Sequence, residues 1–110
     1  MASEVLLQSA HLVIGPMLAN ELFANDQQVL VSYQPNHQRL LVSPVANQWF
    51  ATLHKAKTYL LKSKDAHGTR SIGIHELLID HDIAPHNRAV PFELNQQRRY
   101  LKLFVDQPTF

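Results

Sequence analysis

The chain has 110 residues, 45% of them apolar and none of them cysteine, and its formal net charge at neutral pH is +1. This length fits a single domain, residues 1–110, and the absence of cysteine excludes disulfide bonds, zinc sites with thiolate ligands and cysteine nucleophiles. No apolar run approaches the ~20 residues of a membrane-spanning helix and the first residues do not resemble a signal peptide, so we expect a cytoplasmic protein with no membrane partner.

The first unit, residues 8–44, is predicted to contain a strand, a helix and a hairpin. Residues 10–14 fit a strand, and Gly15-Pro16 then precedes MLANELF. Proline is favoured in the first turn of a helix, where its missing N–H would have no partner anyway. We therefore expect a short helix whose buried face consists of Met17, Leu18, Leu22 and Phe23. Alternating apolar residues on both sides of the polar QPNHQR turn predict a β-hairpin: Val29, Val31 and Tyr33 before it, Leu40 and Val42 after it.

A linking helix is expected in residues 45–64. Ser43-Pro44 resembles an N-cap followed by proline at the first helical position. Apolar residues then recur at spacings of three and four, which predicts a helix from about Val45 to about Tyr59 that packs on the core. These residues are Trp49, Phe50, Leu53, Ala56 and Leu60.

The second unit, residues 65–105, repeats the order of the first. A polar loop, Asp65 to Arg70, is followed by a predicted strand at 71–74 and a short helix at 75–79 with Leu77 and Leu78 inward. A second hairpin is predicted by the alternation of Val90, Phe92 and Leu94, and of Leu101, Leu103 and Val105.

The two units can be aligned at a nearly constant offset. Ile14 meets Ile74 and Leu18 meets Leu78 at an offset of 60, whereas the hairpins need 61 because a slip of one residue would turn every side chain to the other face of the sheet. A tandem duplication explains this alignment, and the chance recurrence of a common order of elements is the alternative. We expect a mainly β fold with short helices, in which two strand-helix-hairpin units surround one barrel core.

Positive charge is concentrated in the second half of the chain. Residues 1–54 carry one basic and three acidic side chains (1 − 3 = −2), and residues 55–110 carry nine basic and six acidic (9 − 6 = +3). The candidate DNA contacts are Lys55, Lys57, Lys62, Lys64, His67 and Arg70, with solvated surface charges as the alternative interpretation. Arg98 and Arg99 lie in a predicted hairpin turn, where exposed charges are ordinary.

Other chemistry has little support in the sequence. His75, His81 and His86 are not spaced to put ligand pairs on one helix face, so surface histidines explain them better than a metal site. No glycine cluster cradles phosphate and no nucleophile motif is present. We predict no enzyme activity and no cofactor.

The segments HLVIGPMLANELF, LLVSP and DAHGTRSIGIHELL together resemble the AbrB/SpoVT swapped-hairpin superfamily. Two such units in one chain are similar to its tandem-repeat MraZ-like branch. The resemblance implies that Asp65 and Gly68 shape a loop and that Arg70 contacts nucleic acid. Thr69 stands between Gly68 and Arg70, where the family pattern has Gly and Arg adjacent.

The resemblance implies a DNA-binding transcriptional regulator of the swapped-hairpin type, or a descendant of one, that assembles into a homo-oligomer. The alternative function is an oligomeric β-rich protein-interaction module without DNA binding. The near-neutral net charge favours the alternative, and the basic segment favours the regulator.

Overall fold

The computed structural model describes residues 5–24 and 26–105 and confirms a mainly β fold with short helices. Its first half contains β1 (Val5–Gln8), β2 (His11–Ile14), α1 (Pro16–Phe23), β3 (Gln28–Gln34) and β4 (Arg39–Pro44). Its middle contains α2 (Gln48–His54), β5 (Lys57–Leu60) and β6 (Lys62–Ser63). The remainder contains β7 (Arg70–Gly73), α3 (His75–Asp80), β8 (Arg88–Ala89), β9 (Phe92–Asn95) and β10 (Tyr100–Leu103).

The strands form two five-stranded antiparallel sheets that share one core. The first sheet has the order β6-β7-β2-β1-β8 and the second has the order β5-β3-β4-β10-β9. Inward side chains of both sheets, together with the apolar faces of α1 and α3, form one buried cluster, which includes Leu12, Phe23, Val42, Ile72 and Leu101. The inward-facing residues predicted for the hairpins lie in the core: Val29, Val31, Leu40 and Val42 are buried in the first, and Leu101, Leu103 and Val105 in the second. Tyr33, Phe92 and Leu94 are half-buried against the same cluster.

The predicted barrel core is wrong, because the two sheets are open. The chain passes from the second sheet to the first at Leu61, and it passes back at Val90 and Pro91. Pro91 has no N–H to donate to a ladder, and it lies between the end of β8 at Ala89 and the start of β9 at Phe92. Within the described residues, each sheet therefore ends in two free edges, β6 and β8 in one and β5 and β9 in the other.

Helix α1 is confirmed, but its buried face is narrower than predicted. Leu18, Ala19, Leu22 and Phe23 are buried, whereas Met17 is 78% exposed. Met17 lies in the first turn beside Pro16, on the side that faces solvent. Helix α3 is confirmed as well, with Leu77 and Leu78 in the core.

Residues 45–64 do not form one helix, so the predicted linking helix is wrong in extent. Asn47, rather than Ser43, caps α2, because its side-chain oxygen accepts a hydrogen bond from the N–H of Phe50 at 3.1 Å. The helix ends at Lys55, whose backbone is left-handed (φ 50°). The chain then enters β5, which pairs with β3 and places Tyr59 against the core.

Helix α2 covers the outer face of the second sheet through Phe50, not through Trp49. Phe50 forms a small second cluster with Leu30 and Leu41. Trp49 was predicted to pack against the core, but it is 40% exposed, and Leu53 and Leu60 are exposed as well. A helix of only two turns can bury one narrow stripe against a flat sheet, and Phe50 occupies it.

Strand β1 had no clear signal in the sequence. It forms a hairpin with β2 through a two-residue turn, Ser9-Ala10, in which both residues have positive φ (50° and 63°). Turns of this kind usually contain Asn or Gly. Because neither stands here, residues 5–14 cannot be divided into two strands by pattern.

Candidate nucleic-acid interface

All six predicted contact residues lie in one segment, residues 55–70, that joins the two sheets. The segment begins at the end of α2, follows β5 along a free edge of the second sheet and then follows β6 along a free edge of the first. It ends in a loop of residues 64–69 before β7. The fold thus places the positive charge along two neighbouring sheet edges.

The four lysines of this segment are exposed. Within residues 5–24 and 26–105, no carboxylate oxygen lies within 4.0 Å of the ammonium groups of Lys55, Lys57, Lys62 or Lys64. Lysines on an edge strand also discourage pairing with another chain, so their presence on β5 and β6 has a structural explanation too. Lys55 follows the last turn of α2, where its positive charge interacts favourably with the negative end of the helix dipole.

Lys57 differs from the other lysines in its surroundings. It lines a cavity of about 190 Å³ together with Asp80, His54 and His81. Glu76 and Asp80 also act on Tyr59 from α3: burial raises the pKa of the Tyr59 hydroxyl, and the two carboxylates raise it further. Lys57 therefore shares its surroundings with the acidic Asp80, whereas Lys62 and Lys64 do not line this cavity.

The loop of residues 64–69 is ordered by Asp65. Its carboxylate accepts hydrogen bonds from the N–H groups of His67 (2.9 Å) and Thr69 (3.2 Å), and the N–H of Lys64 donates to the carbonyl of Thr69 at 2.8 Å. Desolvation raises the pKa of Asp65, but hydrogen bonds from Thr69 and His67 and the nearby His67 ring outweigh it, so the pKa lies below its ordinary value. Asp65 is expected to shape the loop, and these hydrogen bonds to the backbone are the contacts by which it would do so.

Gly68 allows this loop to approach the other unit closely. Its φ is +98°, a conformation that favours glycine, and a Cβ built there would lie 3.4 Å from Cβ of Pro16 at the start of α1. The loop therefore lies over the point where β2 turns into α1. His67 is exposed at its tip.

We expect Gly68→Ala to lower the free energy of unfolding by about 1–3 kcal/mol, because a side chain is strained at this positive φ. Gly73 in β7 is the matched control, since its added Cβ would meet only His11 ring atoms at 3.5 and 3.6 Å and its φ is not in the positive range. Urea denaturation of the two variants measures the difference. Equal effects of the two substitutions would contradict the account of this loop.

Arg70 points into its own chain. Its Nη1 donates to the carbonyl of Ala24 at 3.2 Å, and its Nη2 donates to the carbonyls of Leu61 (3.1 Å) and Asp26. The guanidinium is half-buried and joins the segment after α1 to the junction between β5 and β6. A direct contact of Arg70 with DNA stays a prediction, and its evident contribution is to hold these carbonyls.

In the part of the chain that the structure describes, no metal centre accompanies the basic segment. Among residues 5–24 and 26–105, no three His, Asp or Glu side chains converge as metal ligands, so His75, His81 and His86 form no such group in that part of the chain. His81 lies against Tyr33 instead, with ring centroids 4.4 Å apart.

Comparison of the chain with family models, curated proteins and solved structures finds no match. No helix in the described part of the chain is long and apolar enough to cross a membrane. The function must therefore be argued from the surface itself.

Proposed function

We propose that the chain binds duplex DNA, as a transcriptional regulator of the swapped-hairpin type or a descendant of one. The observation that carries the proposal is the basic edge, which we define as Lys55, Lys62, Lys64 and His67. These four side chains are exposed along one segment, and the lysines among them have no ion-pair partner in residues 5–24 and 26–105. The hydrogen bonds of Asp65 within the loop, and that of Arg70 to the carbonyl of Leu61, hold the backbone near Lys62, Lys64 and His67.

The three lysines of the basic edge supply only part of a useful affinity. Each phosphate that a lysine neutralises releases counterions, and affinity grows with the number of such contacts. A net charge of +1 adds little long-range attraction. A homo-oligomer that repeats the basic edge would bind far more tightly, and the homo-oligomeric state is accordingly part of the proposal.

We further propose that the fold arose by tandem duplication, because the pairing of strands has an internal two-fold relation. In the first sheet Leu12 of β2 pairs with Ile72 of β7, an offset of 60 (72 − 12). The flanking pairs are His11 with Gly73 and Val13 with Ser71. Position 11 corresponds to 71 (11 + 60) and position 73 to 13 (73 − 60), so the duplication maps one flanking pair onto the other. Equivalent strands of two units related by a two-fold axis pair in this way.

The second sheet has the same relation at an offset of 61. Leu41 of β4 pairs with Lys102 of β10 (102 − 41 = 61), and the flanking pairs are Val42 with Leu101 and Leu40 with Leu103. The one-residue change is the insertion that the hairpin alternation requires. Two independent ladders thus support the duplication more strongly than matched residues in the sequence do.

The basic edge lies where the two units differ most. Strand β1 pairs with β8 through Leu7 and Arg88, and the corresponding bond in the other unit joins the N–H of Leu61 to the carbonyl of Gln27. Leu7 and Leu61 are 54 apart (61 − 7), so six residues (60 − 54) have been added between this strand and β7. The added residues form the loop that carries Lys64, Asp65, His67 and Gly68.

We expect the double variant Lys62→Gln/Lys64→Gln to lose most of its affinity for duplex DNA at low salt. The slope of log affinity against log salt should fall by about 0.9 for each phosphate contact removed. Fluorescence anisotropy of a labelled duplex of arbitrary sequence, measured over a salt series, gives both quantities. Stability should hardly change, because both side chains are exposed.

Two single variants are matched controls for this measurement. Lys102→Gln removes a lysine from β10, in the interior of the second sheet, and should leave affinity unchanged. Lys57→Gln should have a smaller effect than Lys62→Gln, because Lys57 shares its cavity with Asp80. Absence of any binding by the wild type at low salt would contradict the proposal.

The alternative function, an oligomeric protein-interaction module, is favoured by the exposed apolar side chains Leu53, Leu60 and Ile79 and by the free strand edges. Light scattering with size-exclusion chromatography, with and without duplex, separates the two functions. An oligomer that never binds DNA would support the alternative.

A further inference from the structure

A second site candidate lies on the outer face of the second sheet. A cleft of about 410 Å³ opens between the start of α2 and the turn that joins β9 to β10. This volume falls within the roughly 300–1,000 Å³ of small-molecule sites. Pro44, Ala46 and Trp49 form its apolar wall.

The polar side of the cleft carries positive charge and no carboxylate. Gln97, Arg98 and Arg99 line it, together with Asn47. Nη2 of Arg99 donates hydrogen bonds to the carbonyls of Glu21 (3.3 Å) and Leu22 (3.4 Å) at the end of α1. The guanidinium of Arg98 makes no hydrogen bond within residues 5–24 and 26–105, so its N–H groups are available to an anion.

Arg98 is held in place from three sides. Its N–H donates to Oδ1 of Asn95 at 2.9 Å, and its carbonyl accepts from Nδ2 of Asn47 at 2.8 Å. Its Cζ lies 4.7 Å from the ring centroid of Trp49. That ring also lies near the rings of His54, at 6.0 Å and 83° between planes, and of Tyr100, at 6.3 Å and 29°. A guanidinium within cation–π distance of an indole is held near the ring, and its planar set of N–H donors suits bidentate recognition of an oxyanion.

The position of the cleft excludes an extended peptide as its best occupant. Peptides that bind to sheets usually add a strand at an open edge. The strands under this cleft, β4 and β10, each have a neighbour on both sides. Recognition must therefore come from side chains. The cleft places an apolar wall that includes an aromatic ring beside two arginines. This combination fits a compact ligand that has a flat ring and a phosphate.

We propose that this cleft binds a nucleoside phosphate unit, with the base against Trp49 and Pro44 and the phosphate on Arg98, assisted by Arg99. The unit can be a free mononucleotide or one residue of a single-stranded nucleic acid. The site is distinct from the basic edge, because none of the four basic-edge residues is among the residues that line the cleft. Its proposal does not depend on duplex binding.

Trp49 is the single tryptophan of the chain, so its fluorescence reports on the site directly. Titration of the full chain with 5′-AMP should change this emission saturably, and isothermal calorimetry should give the same affinity. Adenosine and inorganic phosphate should each bind at least about tenfold more weakly than 5′-AMP, because each lacks half of the recognition. Equal binding of 5′-AMP and inorganic phosphate would overturn the proposal. So would a failure of both 5′-AMP and a single-stranded oligothymidylate to bind saturably.

Arg98→Gln should weaken 5′-AMP binding about tenfold or more, the expected loss of a charge-assisted hydrogen bond. Arg98→Lys should restore only part of it, because lysine lacks the planar fork. Leu53→Ala, on the same helix but outside the cleft, should leave binding unchanged. If Arg98→Gln has no effect, or Leu53→Ala weakens binding as much, the site is misassigned.

The source of the ligand follows from the same variants. Tighter binding of the oligothymidylate than of 5′-AMP, lost in Arg98→Gln, identifies single strands, whereas binding of 5′-AMP alone identifies a free mononucleotide. Lys62→Gln should leave both unchanged. Failure of duplex binding and failure of this site are thereby distinguishable.

Discussion

Ile72→Ala is expected to lower the free energy of unfolding by about 2–5 kcal/mol, the usual cost of removing most of a fully buried isoleucine side chain. Ile72 is completely buried in β7, where it pairs with Leu12 at the centre of the β2–β7 ladder. A domain of this size is commonly stable by only about 5–15 kcal/mol. The substitution therefore removes a large share of the total, and urea denaturation at neutral pH measures it.

Ile79→Ala is the matched control for this variant. It makes the same chemical change in α3, at a side chain that is 65% exposed. Its effect should stay within about 0.5 kcal/mol, as for most surface substitutions. Similar losses in the two variants would mean that the β2–β7 ladder is not the centre of the core.

Arg70→Gln is expected to cost about 1.5–3 kcal/mol in the free energy of unfolding, because hydrogen bonds from a charged donor to the carbonyls of Ala24, Asp26 and Leu61 are lost. The glutamine side chain is shorter and cannot reach three carbonyls at once. Thermal and urea unfolding of the variant give the loss directly.

The same variant separates a structural function of Arg70 from direct DNA contact. Arg70→Lys should recover little stability, because one ammonium group cannot replace two guanidinium nitrogens. Lys64→Gln should show the reverse pattern, with weaker DNA binding and unchanged stability. Unchanged stability in Arg70→Gln, accompanied by lost DNA affinity, would contradict the structural assignment and support the contact implied by the family resemblance.

A second arginine makes an arrangement comparable to that of Arg70. Nη1 of Arg88 donates to the carbonyls of Ala84 (2.8 Å) and His86 (2.9 Å), and Nη2 donates to the carbonyl of Val105. Ala84 is 60 residues after Ala24, so under the proposed duplication the two arginines bind equivalent carbonyls. Arg70 belongs to β7 and Arg88 to β8. Residues at different positions of the two halves therefore make this kind of contact with backbone carbonyls.

Elements with strong local signals were predictable from the sequence. Gly15-Pro16 marks the start of α1, and the alternation around QPNHQR fixes both strands of the first hairpin and their inward faces. In each case the local pattern and the tertiary environment favour the same structure. The position of the basic residues on one segment was also predictable, because they are close in the sequence.

Features that depend on tertiary partners were not predictable. Lys57 to Leu60 has helical spacing with α2, yet β3 offers it a free edge, and the left-handed Lys55 ends the helix first. Whether the sheets close into a barrel depends on Pro91 and on the pairing of edges, which no spacing reveals. The inward direction of Arg70 depends on carbonyls 44 and 46 residues away in the chain.

The exposed side of α2 was also not predictable from the sequence. Trp49 and Phe50 are adjacent, and periodicity alone cannot say which of them faces the sheet. The structure buries Phe50 and leaves Trp49 partly exposed, near Arg98 and Tyr100. Turn arginines that were expected to be ordinary thus line the cleft proposed as the second site.

The most direct test of the proposed DNA-binding function is an NMR titration of the ¹⁵N-labelled chain with a short duplex of arbitrary sequence at low salt. Amide shifts are expected to concentrate at Lys55 and in residues 61–69, along the basic edge, and to reverse when salt is added. Shifts confined to residues 96–99, or no shifts at any concentration, would contradict it.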